Sequence, residues 1–298
     1  MNQADAERWK SEVLDEIFAA LAERKELDEA LIFKGARVLN LRLNGGRQSL
    51  DIDSNLTAEF VTRYPDREDQ RQFLEHEMKA TIRIHFERQV PVRFELANLQ
   101  VRTHPPKAHP MGWDAFEVRI NLNDVTRRVR GLPALTIDVA CPGEILESSV
   151  SRIEVGGHMV HAYTLERVAG EKLRAFLSSL PTYRTRANKP GESVRAKDLY
   201  DIALIHRHRN LSDEASWQLA GREFRLACQS RCIDCAGLAT FQGAWRVTRT
   251  TYAAATIPTD ITFEETEKTL VEVVRRFESL EIIPFTFPIR AKQTVHGE

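Results

Sequence analysis

In RQSLDIDSNL, residues 47–56, two carboxylates stand one residue apart. On an extended strand, residues i and i+2 face the same side. Asp51 and Asp53 therefore share a face with Ser49, while Leu50 and Ile52 enter the core on the other. Two like charges this close raise each other's pKa unless a cation compensates. A divalent ion with oxygen preference removes the conflict, and Mg²⁺ typically takes one or two carboxylates together with substrate phosphates. A solvated strand face with surface salt bridges satisfies the same pattern, and an isolated Asp-x-Asp does not choose between the two.

The residues before the pair add to it. Gly35 follows the apolar run ALIF and precedes a helix expected from Arg37 to about Leu43, closed by the turn Asn44-Gly45-Gly46. A residue without Cβ lets the backbone approach a phosphate at a helix N-terminus; an ordinary tight turn is the alternative. The order strand, glycine, helix, turn, acid-bearing strand resembles that of a polymerase-β-type nucleotidyltransferase. A third carboxylate comes from ALTIDVAC, where Leu135, Ile137 and Val139 form one face and Asp138 lies opposite with Thr136 and Ala140. If this strand lies beside SLDID, Asp138 reaches the same metal cluster or orients a nucleophile; pairing with a nearby Arg or Lys is the structural alternative. Lys172 falls in line with Val168 and Phe176 on an apolar helix stripe. A lysine there must snorkel or find a carboxylate or phosphate, and Asp198 or Asp201, three apart on one helical face, would serve.

These residues need elements to position them. Trp9, Val13, Ile17 and Leu21 recur at helical spacing in an N-terminal amphipathic helix. DREDQRQFLEHEMKATIRIHFERQ gives a second long helix. PVRFEL alternates with Val92, Phe94 and Leu96 on one face. AFEVRINL sets Phe116, Val118, Ile120 and Leu122 against Glu117, Arg119 and Asn121, and SRIEVGGHMVHAY supplies one or two further strands of a mixed sheet. THPPKAHPMGW between the first two reads as a loop. From Leu165 the pattern is helical, in LERVAGEKLRAFLSSL, VRAKDLYDIALIHRH, SDEASWQLAGREFRLAC and TFEETEKTLVEVVRRFESL. The last opens on a capping box, Thr262 with Glu265, and NKPGES (188–193) is the expected mobile connection. The expected fold class is α/β (α+β), a mixed-sheet domain over 1–163 followed by a helical domain over 164–298. Its strand–glycine–helix opening resembles a polymerase-β-like nucleotidyltransferase domain, which implies that the helical domain completes the cleft.

Composition bounds the function. The 298 residues are 42% hydrophobic and 29% charged with net charge −1, a soluble globular profile whose overall field does not attract nucleic acid. A local patch would have to do so, and Arg127, Arg128 and Arg130 form one, with a solvated loop as the default. No apolar run is long enough to span a bilayer, and the N-terminus lacks a signal-peptide core. With four cysteines in no extracellular framework, the expected location is the cytoplasm. Cys228, Cys232 and Cys235 have an iron–sulfur-like spacing but sit at the end of a helical pattern, so they read as ordinary thiols. His104, His109, His206 and His208 read as surface histidines.

Four blocks in order resemble one family. They are Phe33-Lys34-Gly35-Ala36 with Leu39; Arg47, Ser49, Asp51, Ile52 and Asp53; Glu171-Lys172-Leu173-Arg174-Ala175; and Arg195-Ala196-Lys197-Asp198-Leu199-Tyr200-Asp201. Their types and spacing resemble the AbiEii/AbiGii nucleotidyltransferase-like toxins of bacterial abortive-infection and type IV toxin–antitoxin systems. Ala36 departs from the pattern, standing where the family carries a second Gly or Ser, with Arg37 beside it to compensate electrostatically. The resemblance implies an Mg²⁺-dependent (or Mn²⁺-dependent) enzyme that transfers NMP from an NTP to an RNA, tRNA foremost, or to a protein, and that is restrained by an antitoxin. It implies metal binding by Asp51 and Asp53, and nucleotide binding by Lys34, Gly35, Ala36, Arg37, Arg47, Ser49 and Lys172. Asp138, Lys172 and Asp198 join the catalytic set, with Asp198 preferred over Asp201, which is expected at the helix surface or behind the site. The contrasting expectation is a degenerate scaffold that binds RNA or protein without catalysis.

Overall fold

The computed structural model describes residues 2–107, 114–126, 132–186 and 194–287. The connection 188–193, the arginines 127, 128 and 130, and His109 lie outside the described residues. The chain divides into two compact units: residues 1–38, 48–143 and 150–163 form the first, and 39–47, 144–149 and 164–298 the second.

The first unit opens with α1 (Gln3–Ala22), capped by the Asn2 side chain, which accepts from the Asp5 N–H. Trp9, Val13, Ile17 and Leu21 are all buried, as their spacing predicts. After α2 (Lys25–Ala30) the chain enters β1 (Leu31–Lys34) and turns directly into α3 (Gly35–Leu43), so the helix begins at the glycine itself. Next come β2 (Ile52–Leu56), the short α4 (Ala58–Arg63), not foreseen from the sequence, and α5 (Arg67–Glu87). The remaining strands are β3 (Phe94–His104), β4 (Ala115–Asp124), β5 (Leu135–Ala140), β6 (Val150–Val155) and β7 (His158–Tyr163).

They form one mixed sheet in the order β3-β4-β5-β2-β1-β7-β6. β2 runs parallel to β5 and β1 parallel to β7, and the other neighbours are antiparallel. Phe116, Val118, Ile120, Ile137 and Val139 are wholly buried on one face, in one core with Val13, Ile17, Leu74, Met78 and Ile82 of α1 and α5. Each such side chain contributes about 1.5–3 kcal/mol, enough to fix which face is inward and to send the alternate, charged residues outward.

Three sequence expectations need correction here. β2 starts at Ile52, so Asp51 precedes the strand, because the carbonyls of Ser49 and Asp51 accept from the buried Arg37 guanidinium. Leu50 is only half-buried, since it lies in that irregular segment. Val92 is exposed and outside β3, whose inward residues run through Phe94, Leu99 and Val101 across a register shift between Leu96 and Asn98.

The second unit is helical: α6 (Leu165–Ser179), α7 (Pro181–Arg186), α8 (Ala196–His208), α9 (Glu214–Ser230), α10 (Ala239–Gln242), α11 (Trp245–Ala254) and α12 (Phe263–Ser279). The three not foreseen are the short α7, α10 and α11. Gly170 allows α6 to cross α9 closely, because a Cβ there would lie 2.6 Å from the Phe224 backbone nitrogen. Thr262 caps α12, accepting from the Glu265 N–H at 3.2 Å. Among the described residues, no helix is long and apolar enough to cross a membrane.

Candidate active site

Strand register builds the site of the first unit. Lys34 of β1 lies opposite Asp53 of β2, Asp53 beside Asp138 of β5, Asp138 opposite Glu117 of β4, and Glu117 opposite Arg102 of β3. Register partners point to the same side of a sheet, with Cβ atoms about 4.5–5.5 Å apart in antiparallel pairs. One row across five strands therefore reads lysine, three acids, arginine, on the face opposite the apolar core. Asp138 is exposed, and its carboxylate accepts no hydrogen bond or ion pair from any described residue. Loss of water to the surrounding protein raises its pKa; Asp51 and then Glu117 raise it further, and Lys34 and His104 oppose them.

Gly35 has φ +80°, where an L side chain is strained, and a Cβ there would collide with the Asp53 carboxylate, whose Cγ would lie only 2.9 Å away. The Asp53 side chain thus packs against the glycine, where the sequence leaves both a phosphate approach and an ordinary tight turn open. The glycine lets an acid fold against the start of α3. Ser49 donates to Asp51 Oδ1 at 3.0 Å, orienting that carboxylate.

Two residues expected to bind nucleotide are inside the protein. Ala36 is 3% exposed and Arg37 5%. Arg37 donates to the Ser49 carbonyl at 2.8 Å and to Asp15, joining α1 to the segment that carries Asp51. Burial depresses its pKa, and the Asp15 and Asp51 charges oppose that shift.

The second unit holds its own charged cluster. Lys172 Nζ lies 3.0 Å from Asp198 Oδ1 and 2.8 Å from Asp201 Oδ2. Arg47, expected at the nucleotide, forks onto Asp201 with Nε–Oδ1 at 3.0 Å and a terminal nitrogen at 3.0 Å from Oδ2. Arg195 reaches Asp198 Oδ2 at 2.6 Å. Burial alone would lower the Lys172 pKa, but Asp198 and Asp201 outweigh it and hold the ammonium above its ordinary value. Burial likewise works against the Asp198 charge, but Lys172 and Arg195 overcome it and draw the carboxyl down to about 2. Asp201 is 0% exposed and not at the helix surface, because α8 buries nearly its whole circumference from Asp198 to Ile205. A second buried network, missed from sequence, joins Arg167 to Glu223 and Glu171, with Ser149 donating to Glu223.

All four cysteines are free, with Cys228 and Cys235 buried. His206 is half-buried rather than on the surface, packed near Trp217, and burial lowers its pKa. Among the described residues, no group of three or more His, Cys, Asp or Glu is arranged to hold a metal ion by itself.

The mixed sheet is entered through strand, glycine and helix, and the next strand, β2, carries Asp53 beside Asp138 of β5. Comparison with solved structures agrees on the fold. The chain is similar to JHP933 from Helicobacter pylori at TM-score 0.53 and 14% identity, covering 94% of this chain and 95% of that one. Weaker likenesses are to a candidate nucleotidyltransferase from H. pylori (TM-score 0.45, 15% identity, 94% and 99% covered) and an antigenic nucleotidyltransferase-like protein from Paracoccidioides brasiliensis (TM-score 0.34, 14% identity, 78% and 98% covered). No curated protein matches the sequence. The family model described as "Nucleotidyl transferase AbiEii toxin, Type IV TA system" matches residues 17–281. The chain belongs to this AbiEii family of nucleotidyltransferase toxins. Membership in a type IV toxin–antitoxin family brings with it an NTP substrate, the family's general use of divalent metal, and an antitoxin partner.

Proposed function

We propose that the enzyme transfers a nucleoside monophosphate from an NTP to a hydroxyl of an RNA, with tRNA the foremost acceptor and protein the alternative, in the cytoplasm. The observation that carries the mechanism is the Asp53–Asp138 pairing, which sets two acids side by side on one sheet face, with the Asp138 carboxylate exposed. The donor set fits Mg²⁺ or Mn²⁺. It is all carboxylate, it carries excess negative charge, and a nucleotide metal needs only one or two protein carboxylates when phosphates complete its shell. Asp51 and Asp53 would hold the ion, which supplies charge stabilisation at the transferring phosphoryl group when bound.

The chain's own residues do the rest. Ser49 fixes the orientation of Asp51, and Gly35 gives Asp53 its place at the start of α3. Lys34, the cation at the end of the acid row, attracts the triphosphate. Asp138, whose carboxylate no described residue occupies, receives the acceptor hydroxyl and its proton. The hydroxyl oxygen then forms a bond to the α-phosphorus, the bond to the bridging oxygen breaks, and pyrophosphate leaves with the electron pair. Lys172, Asp198, Asp201 and Arg47 satisfy one another and serve this reading as scaffold of the second unit.

Incubation with each labelled NTP, Mg²⁺ and total cellular RNA tests the proposal, with labelled RNA on a gel as the expected result. Asp51→Asn combined with Asp53→Asn should abolish labelling without lowering the melting temperature. Labelling that survives in this variant would remove the mechanism. RNA binding with no transfer from any NTP would point instead to a degenerate scaffold.

A further inference from the structure

The acid row does not end the open face. One row along, Gln100 of β3, Arg119 of β4 and Thr136 of β5 lie side by side by register, on the same side as Arg102, Glu117 and Asp138. Asn121 of β4 continues that side. Arg119 and Arg102 are both exposed. Arg119 has no hydrogen-bond or ion-pair partner among the described residues, and Arg102, directly opposite Glu117, donates instead to Gln100 at 3.0 Å. Other arginines of this unit are treated differently: Arg93 pairs with Glu12, Arg152 with Asp28 and Arg24 with Glu77.

We propose that Arg119 and Arg102, on the β3–β4 wing of the sheet, seat the phosphodiester backbone of a single-stranded polynucleotide acceptor, apart from the place of the triphosphate. The inference rests on the nucleotidyl-transfer reading and names its acceptor side. Charge complementarity carries it. Guanidinium and amide side chains are the groups that position sugar-phosphate backbones, whereas a protein acceptor would require the buried aromatic or aliphatic anchors that dominate protein interfaces. The wing offers Gln100, Asn121 and Thr136 between its arginines and no large apolar side chain in these rows. Arg119 stands two residues from Glu117, about 7 Å along the strand, a span that one nucleotide bridges. A phosphate held there leaves the neighbouring sugar hydroxyl at the acid row. The arginines also offset the repulsion that three acids exert on an incoming anion.

The test uses the full chain and a short 5′-fluorescein single-stranded RNA of mixed sequence, with binding read by anisotropy over a salt series. Combining Arg102→Ala with Arg119→Ala should weaken RNA binding at least tenfold and reduce the salt slope by about 0.7 per arginine removed. Arg119→Glu should weaken it further. Calorimetric binding of NTP with Mg²⁺ should stay unchanged, as should RNA binding by Arg152→Ala, which removes a paired arginine. Both substituted side chains of the test pair are solvent-exposed, and a melting curve checks that the fold persists.

RNA binding that is absent in the parent, or unaffected by the double substitution, overturns the proposal; so does a parallel loss of NTP affinity, which would place the arginines on the donor. The outcome is separable from the activity. RNA binding that depends on the arginines in an enzyme that labels nothing would sink the transfer reading alone, and labelling with arginine-independent binding would sink this one alone.

Discussion

Asp201 in the helical unit is wholly buried and is met by Lys172 and by the Nε and one terminal nitrogen of the Arg47 guanidinium. Asp138 in the sheet unit is exposed, has acids as its strand neighbours on both sides, and takes no ion pair from any described residue. A chain that needs carboxylates for its own cohesion surrounds them with matched cations, because an unpaired buried charge is prohibitive. In the sheet unit, by contrast, strand register alone sets Asp53, Asp138 and Glu117 in one row. Charge matching, rather than the presence of acids, separates scaffold from site.

The largest effects should break this contrast from both ends. Asp201→Asn removes the buried carboxylate that Arg47 and Lys172 both meet and should destabilise the protein by about 3 kcal/mol or more, read by urea unfolding. Asp53→Asn should do the reverse: a loss of transfer of about 10²-fold or more, with unfolding midpoint unchanged. If Asp53→Asn unfolds the protein and Asp201→Asn only silences it, the assignment of the two clusters is inverted. Gly35→Ala should combine the two kinds of damage at smaller scale. The left-handed backbone costs about 1–2 kcal/mol, and the new methyl displaces the Asp53 carboxylate, so melting temperature and labelling should fall together.

The smallest effect is in pH dependence, and it has opposite signs in the two clusters. Asp198 is held below its ordinary pKa, so its contribution is complete above the unfolded value near 4 and disappears as pH falls toward about 2. Lys172 is held above its ordinary pKa, so its contribution is complete below about 10.4 and disappears as pH rises past its folded value. Asp138 is raised, so acid relieves the row, and that region gains stability where the helical cluster begins to lose it. Asp138→Asn should therefore remove a stabilising response to mild acid, seen as a flatter curve of melting temperature against pH and a higher melting temperature at neutrality.

Local pattern carried much of the architecture. The alternation in AFEVRINL predicts both the strand and its inward face, and Trp9, Val13, Ile17 and Leu21 predict the buried stripe of α1, because each rests on the period of one element. The candidate site was legible to the extent that it is local: Gly35, Asp51 and Asp53 lie within one short stretch. What stayed hidden is set by partners distant in sequence. Nothing near Arg47 announces Asp201, and nothing near Arg37 announces Asp15 or the Ser49 carbonyl, so both arginines read as open to a phosphate. Glu117 was recognised as outward-facing, but only the β4–β5 register makes it a neighbour of Asp138. Asp201 misled because a carboxylate on a helix that also carries Lys197, Asp198 and Arg207 looks like its wet edge, and its partners Lys172 and Arg47 come from elsewhere in the chain.

The register that aligns Asp53 with Asp138 also guards the assembly of the sheet. Sliding β2 by one residue against β5 would turn Ile52 outward and thrust Asp53 among Phe33, Phe116 and Val139. Such a misaligned chain would have to sink bare charges in oil, so it has no stable resting point. The same carboxylates thus make mispairing of the central strands self-defeating, and a version of this protein stripped of them should mature with less fidelity even where its final state is no less stable.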